Sequence, residues 1–103
     1  MSLIDITSAL NHETRQMLMR VVVSKSKASL PEIVEVIQNI SPGKSFAREN
    51  IYRHLEILVG AGLIGKQYDQ NLKKIYYLPK IKSIKMEFTQ KGIEVIIEPM
   101  RGD

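Results

Sequence analysis

The chain has 103 residues, 44% of them hydrophobic and 25% charged, and 15 Lys and Arg against 11 Asp and Glu leave a net charge of +4. That length suits one domain, residues 1–103, burying roughly two-thirds of its unfolded surface, and no apolar run approaches the ~18 residues of a membrane span. With no cysteine and two histidines the sequence has no disulfide framework, thiolate zinc site or thiol nucleophile; Met1-Ser2-Leu3-Ile4-Asp5 lacks the basic start of a secretory signal, so the expectation is a cytoplasmic protein with no membrane, metal or cofactor partner.

Leu3, Ile4, Ile6 and Leu10 read as a short first helix. Asn11 is expected to cap the next helix, about 12–24, on which Thr14, Met17, Leu18, Val21 and Val22 recur at helical spacing. Lys25-Ser26-Lys27-Ala28 is a polar break. Ser29-Leu30-Pro31-Glu32 then forms a capping box with proline in the first turn, ahead of the stripe Ile33, Val36, Ile37 and Ile40. Ser41-Pro42-Gly43-Lys44 is a turn signal, because proline sets one dihedral and glycine frees the next. Ile51, Leu55 and Leu58 share one face of a helix over about 46–60, ended by Gly60-Ala61-Gly62. At ~100° per residue, Glu49, Tyr52, Arg53 and Glu56 fall on the far side, with Arg48, Asn50 and His54 on the flanks.

Leu63–Tyr68 and Lys73–Leu78 are rich in β-formers and flank Asp69-Gln70-Asn71-Leu72, which predicts a hairpin closed by Pro79. Two readings remain open after it. Ile84, Met86 and Phe88 alternate with charge, and Thr89-Gln90-Lys91-Gly92 can turn into Ile93, Val95 and Ile97 as a second hairpin; Thr89 can equally cap a short helix with Ile93, Ile96 and Ile97 on one face. The β-branched run Val95-Ile96-Ile97 favours strand.

Helices, a turn, a helix with outward polar groups and then a basic hairpin are the order of an α+β winged helix-turn-helix, ending in a C-terminal strand or short helix segment. The charge follows this order. Residues 1–40 balance four cations with four anions, residues 41–80 hold seven cations against three anions, and residues 81–103 balance four with four. A polyanion needs a local patch, and the whole excess lies in the proposed reading unit, although an excess of four charges can also arise from a few surface lysines that happen to fall there.

The segment Leu10-Asn11-His12-Glu13-Thr14-Arg15 is similar to the one that opens the second helix of ArsR-type regulators. Ile51-Tyr52-Arg53-His54-Leu55-Glu56-Ile57-Leu58, followed by Ala61-Gly62-Leu63-Ile64, resembles that family's recognition helix and wing entry, and Ile75-Tyr76-Tyr77-Leu78 resembles its returning wing strand. The resemblance covers residues 10–78. The chain departs from the family's metal sensors, which place cysteines on the helix here read as Pro31 to Ile40 or Asp and His ligands near the C-terminus; it has no cysteine and no histidine after His54. The turn between the two helices is also several residues longer, and Ala47 falls where a capping serine would stand, leaving Ser45 as the candidate cap.

The resemblance and the residues together imply a sequence-specific regulator of transcription that binds double-stranded DNA as a homodimer. Arg48 and Arg53 can fork onto guanine, Asn50 can pair with adenine, and Tyr52 can reach a phosphate or a thymine methyl. Glu49 and Glu56 repel phosphate and can instead accept from cytosine or pair with Arg53 and Arg48. Lys66, Gln70, Asn71, Lys73 and Lys74 are the hairpin's contribution, and Lys44 and Ser45 stand at the helix entry, all suited to phosphates. His54 is either a contact or a partly packed helper, and His12 a helix-start residue. Residues 1–10 and 81–98 are the candidate dimerisation segments around the 10–78 core. The rival reading is a winged helix serving as a protein-interaction module in a nucleic-acid-associated assembly. RNA binding is disfavoured because only six aromatic residues exist and most have core or hairpin places, and no constellation of catalytic groups suggests an enzyme.

Overall fold

A computed structural model describes residues 3–41, 43 and 47–100. Its elements run α1 (Leu3–Leu10), α2 (Glu13–Lys25), β1 (Ala28–Ser29), α3 (Leu30–Ile40), α4 (Arg48–Gly60), β2 (Ile64–Asp69), β3 (Lys74–Pro79), β4 (Ile81–Thr89) and β5 (Gly92–Pro99). The chain is thus α+β, with a three-stranded antiparallel sheet in the order β1-β3-β2 and a separate β4–β5 hairpin.

Helices α2, α3 and α4 bury the middle of the stripes their periodicity marks, whereas Ile40, expected on the α3 stripe, is exposed and Val36 only partly buried. Leu18, Val21 and Val22 of α2, Ile33 and Ile37 of α3, and Ile51, Leu55 and Leu58 of α4 meet in one cluster with Ile6, Leu63, Ile64 and Tyr77. Two local expectations are corrected. The cap of α2 is His12, not Asn11: the imidazole Nδ1 accepts the Thr14 amide at 3.1 Å, a role a neutral ring nitrogen fills as an asparagine oxygen would. The amide of Asn11 instead closes onto the Ser8 carbonyl at the end of α1. Ala28 belongs to no polar break: it is fully buried and, with Ser29, pairs against Tyr77 and Tyr76 as β1. Two residues are too few for a periodic signal, so only the tertiary pairing defines this strand.

Ser29 still heads α3 as expected. The Glu32 carboxylate accepts from the Ser29 hydroxyl at 2.8 Å and from its amide at 3.3 Å, and these bonds hold the Glu32 carboxyl below its usual pKa. Ala47 stands at the start of α4 without a side-chain cap, while Lys44 and Ser45, named above as entry residues, lie outside the described residues.

At the other end of α4, the Leu63 amide reaches the Leu58 carbonyl and the Gly62 amide reaches that of Val59, both at 3.0 Å, a Schellman closure around Gly62 at φ 78°. A side chain there meets the left-handed penalty of ~1–2 kcal/mol. Gly62→Ala is therefore expected to lower the melting temperature by about 4–8 °C per kcal/mol lost, read by thermal circular dichroism, whereas Gly60→Ala, whose added Cβ meets open space inside the helix, leaves it unchanged or raises it.

The C-terminal segment is the hairpin alternative and not the helical one. Strands β4 and β5 pair from Thr89↔Gly92 down to Ile81↔Pro99, with a shift between Ile81 and Ser83. Gly92 takes φ 129° at the turn, which the Thr89 hydroxyl braces by accepting the Lys91 amide. The base of this hairpin is tied in by Ile81, which is buried, and by the Met100 amide on the Lys80 carbonyl. The outer part projects. The Cα radius of gyration is 14.8 Å, against the ~13 Å of a compact chain of this length.

Candidate nucleic-acid interface

Helix α4 presents Arg48, Glu49, Asn50, Tyr52 and Arg53 to solvent, as its 3.6-residue period requires once Ile51, Leu55 and Leu58 are buried. Strand β2 lies against the same helix. At their junction Lys66 of β2 forms an ion pair with Glu56 of α4, and its ammonium stands 5.7 Å from the centre of the Tyr52 ring. The hydrogen bond to Glu56 raises the Lys66 pKa above its usual value. Lys66 and Glu56 thus fasten the β2–β3 hairpin to the helix, and Glu56 pairs with this lysine instead of Arg48 or Arg53. Neutralised in this way, Glu56 no longer places a bare negative charge beside the exposed arginines.

The β2–β3 tip is ordered by Asp69, whose Oδ1 accepts the amides of Asn71 at 2.9 Å and Leu72 at 3.0 Å. Gln70, Asn71, Lys73 and Lys74 are all exposed around it, with Lys73 at φ 52°. On the neighbouring β1 side, Lys27 lies 4.6 Å over the ring of Tyr76, adding a cation that the sequence reading left in a polar break. Tyr77, by contrast, is buried, and burial pushes its hydroxyl above the usual pKa.

His54 is not part of the outward face. Its Nδ1 lies 3.2 Å from Nη1 of Arg15, and its ring lies 4.5 Å from that of His12. An arginine can only donate, so the Arg15 contact requires His54 to be neutral with its proton on Nε2. Burial, helped by the neighbouring His12, Arg15 and Arg53, lowers the His54 pKa. The same guanidinium donates from Nε to the Ala9 carbonyl and from Nη2 to that of Ser8 at 3.2 Å, closing the C-terminal end of α1. Sequence reasoning missed this role of Arg15, because residues 15 and 54 lie on different helices and nothing in the spacing of either pairs them. Two of the three segments that carry the ArsR resemblance, one ending in Thr14-Arg15 and the other containing His54, meet at this bond.

Among the described residues no three His, Asp or Glu side chains gather where they could hold a metal ion, and no helix is long and apolar enough to cross a membrane. No protein-family model matches the chain, and no curated protein matches its sequence. Among the described residues the chain is α+β, with four helices and a small antiparallel sheet carrying a hairpin, compatible with a winged helix.

Proposed function

We propose that the protein is a winged helix-turn-helix regulator of ArsR-like type that binds double-stranded DNA, with α4 as the recognition helix in the major groove and the β2–β3 hairpin as the wing. The observation that carries this reading is the joint surface on which Arg48, Asn50 and Arg53 stand exposed along α4 while Lys66 and Glu56 bind that helix to a hairpin bearing Lys73 and Lys74. Arginine and asparagine are the side chains that read guanine and adenine edges, and a groove ~12 Å wide admits one helix. The hairpin lysines supply phosphate contacts that set register without sequence information. Two copies of the chain would present two such helices to successive turns of a duplex.

Titration of labelled duplex at two salt concentrations tests this. The two phosphate-facing lysines, Lys73 and Lys74, give a slope near −1.8 in log affinity against log salt for each chain, which is on the order of a 10-fold loss between 50 and 200 mM. Arg53→Ala is expected to weaken a selected duplex by about 10-fold or more, whereas Lys73→Ala weakens all duplexes alike and makes the slope shallower by about one. Selection of bound sequences from a random duplex pool should yield a palindrome. No duplex binding at low salt would overturn the reading in favour of a protein-interaction module.

A further inference from the structure

The β4–β5 hairpin is amphipathic in a way its own chain does not use. Register places Ile84 opposite Ile97, Met86 opposite Val95 and Phe88 opposite Ile93, so six apolar side chains line one face. The inner pair, Ile84 and Ile97, packs on the core. Toward the tip the cover ends: Met86 and Ile93 are about half exposed, and Phe88 is 83% exposed. The opposite face carries Lys85, Glu87, Glu94 and Glu98 beside a partly exposed Ile96, and is mainly charged. A two-stranded hairpin is marginal alone in water, and among the described residues Phe88 is the most exposed of the large hydrophobic side chains.

Beside the hairpin base lies an open groove of about 680 Å³, walled by Ile6, Ser8, Leu10, Gln16, Ile84 and Met86, between α1 and β4. We propose that this groove receives the tip of the same hairpin from a second copy of the chain, Phe88 first, and that the exchange is reciprocal about a two-fold axis. The proposal rests on the two-copy part of the functional reading and names the surface that makes it.

Three observations select this occupant. The groove runs into the exposed apolar face through Met86, which belongs to both, so one surface holds the donor and the acceptor that a two-fold contact needs. Residues 1–40 and 81–103 are each electrically balanced while the +4 lies in residues 41–80, so two copies meet there without repulsion and keep their basic faces outward. Area decides the geometry. Strands of eight or nine residues at ~3.3 Å per residue and ~4.8 Å apart give a face of about 27 by 10 Å. Two such faces stacked on each other cover ~550 Å², below the ~1,200 Å² of a specific interface. Filling both grooves as well adds buried surface beyond the stacked faces.

The absence of native cysteine makes the test direct. Wild-type protein at micromolar concentration should sediment at about twice 11.7 kDa, and Phe88→Asp, an exposed position that leaves the fold intact by circular dichroism, as a single chain. Ser8→Arg, on the groove wall, should have the same effect. When Ser8→Cys chains are mixed with Phe88→Cys chains and mildly oxidised, the mixed disulfide should predominate. A single-chain wild type, a Phe88→Asp variant that remains paired, or predominance of the Phe88→Cys homodisulfide would each overturn the proposal. Low-salt duplex titration of Phe88→Asp keeps the functional reading separate: retained weak binding leaves that reading standing whatever the sedimentation shows, and its loss from both wild type and variant defeats that reading alone.

Discussion

Leu55→Ala should lower stability by about 3 kcal/mol, on the scale measured for leucine truncation in cores, and the melting temperature by on the order of 15 °C. Leu55 is wholly buried on the inner face of α4, the helix that packs on α2, α3 and β2 at once. Removing its branched end leaves a void that four elements would have to close together, and elements held by several neighbours relax little. Since a chain of this size has a total stability of ~5–15 kcal/mol, the loss is a large share. Urea denaturation should show a lower midpoint with an unchanged slope, at fixed protein concentration because pairing of chains would add to stability by mass action. Leu55→Met, which roughly conserves volume, should cost less than ~1.5 kcal/mol. An equal loss in both variants would mean that shape at this position matters more than volume.

The buried stripe that makes Leu55 sensitive was legible in the sequence, because a helix period of 3.6 repeats over several turns and averages out local noise. The same holds for the Ser29-Leu30-Pro31-Glu32 cap and the Gly62 stop, whose chemistry is complete within a few residues. The second hairpin was favoured over its helical alternative by the β-branched run Val95-Ile96-Ile97, and the paired strands β4 and β5 bear out that leaning. What could not be read depends on contacts across the fold. The strand Ala28–Ser29 exists only because β3 lies beside it. Lys66 and Glu56 look like two more surface charges until β2 is laid on α4. His54 stands about 60° from the stripe in a helical projection, an angle that leaves contact and packing equally open; Arg15 and His12 decide it. Cap placement at His12 in place of Asn11 is a one-residue shift that propensity cannot distinguish.

Arg15 carries the second large effect. Its guanidinium donates to the Ser8 and Ala9 carbonyls and faces His54 Nδ1, joining the end of α1, the start of α2 and the middle of α4. Arg15→Ala leaves carbonyls and a ring nitrogen without their donor, and charge-assisted bonds of this kind are worth ~1.5–3 kcal/mol, so a loss of about 2 kcal/mol is expected. Arg15→Lys should recover little of it, since a single ammonium lacks the planar fork that reaches three acceptors.

The pH dependence identifies the histidine end of the link. The folded His54 pKa lies below the unfolded value of ~6.5. Above that value the ring is neutral in both states and its contribution is fully present. As pH falls below 6.5 the unfolded chain takes up the proton first, and stability is lost progressively until the folded pKa is passed. Protonation also turns the Nδ1 acceptor into a donor facing a guanidinium, which breaks the bond to Arg15. Glu32, likewise depressed from 4.5, loses its contribution only below that pH, so its phase begins at a lower pH than that of His54 in a stability profile taken from pH 8 to 3. His54→Gln, whose amide oxygen can accept from Arg15 without titrating, should flatten the upper phase and leave the lower one in place. A profile unchanged by His54→Gln would remove His54 from the link.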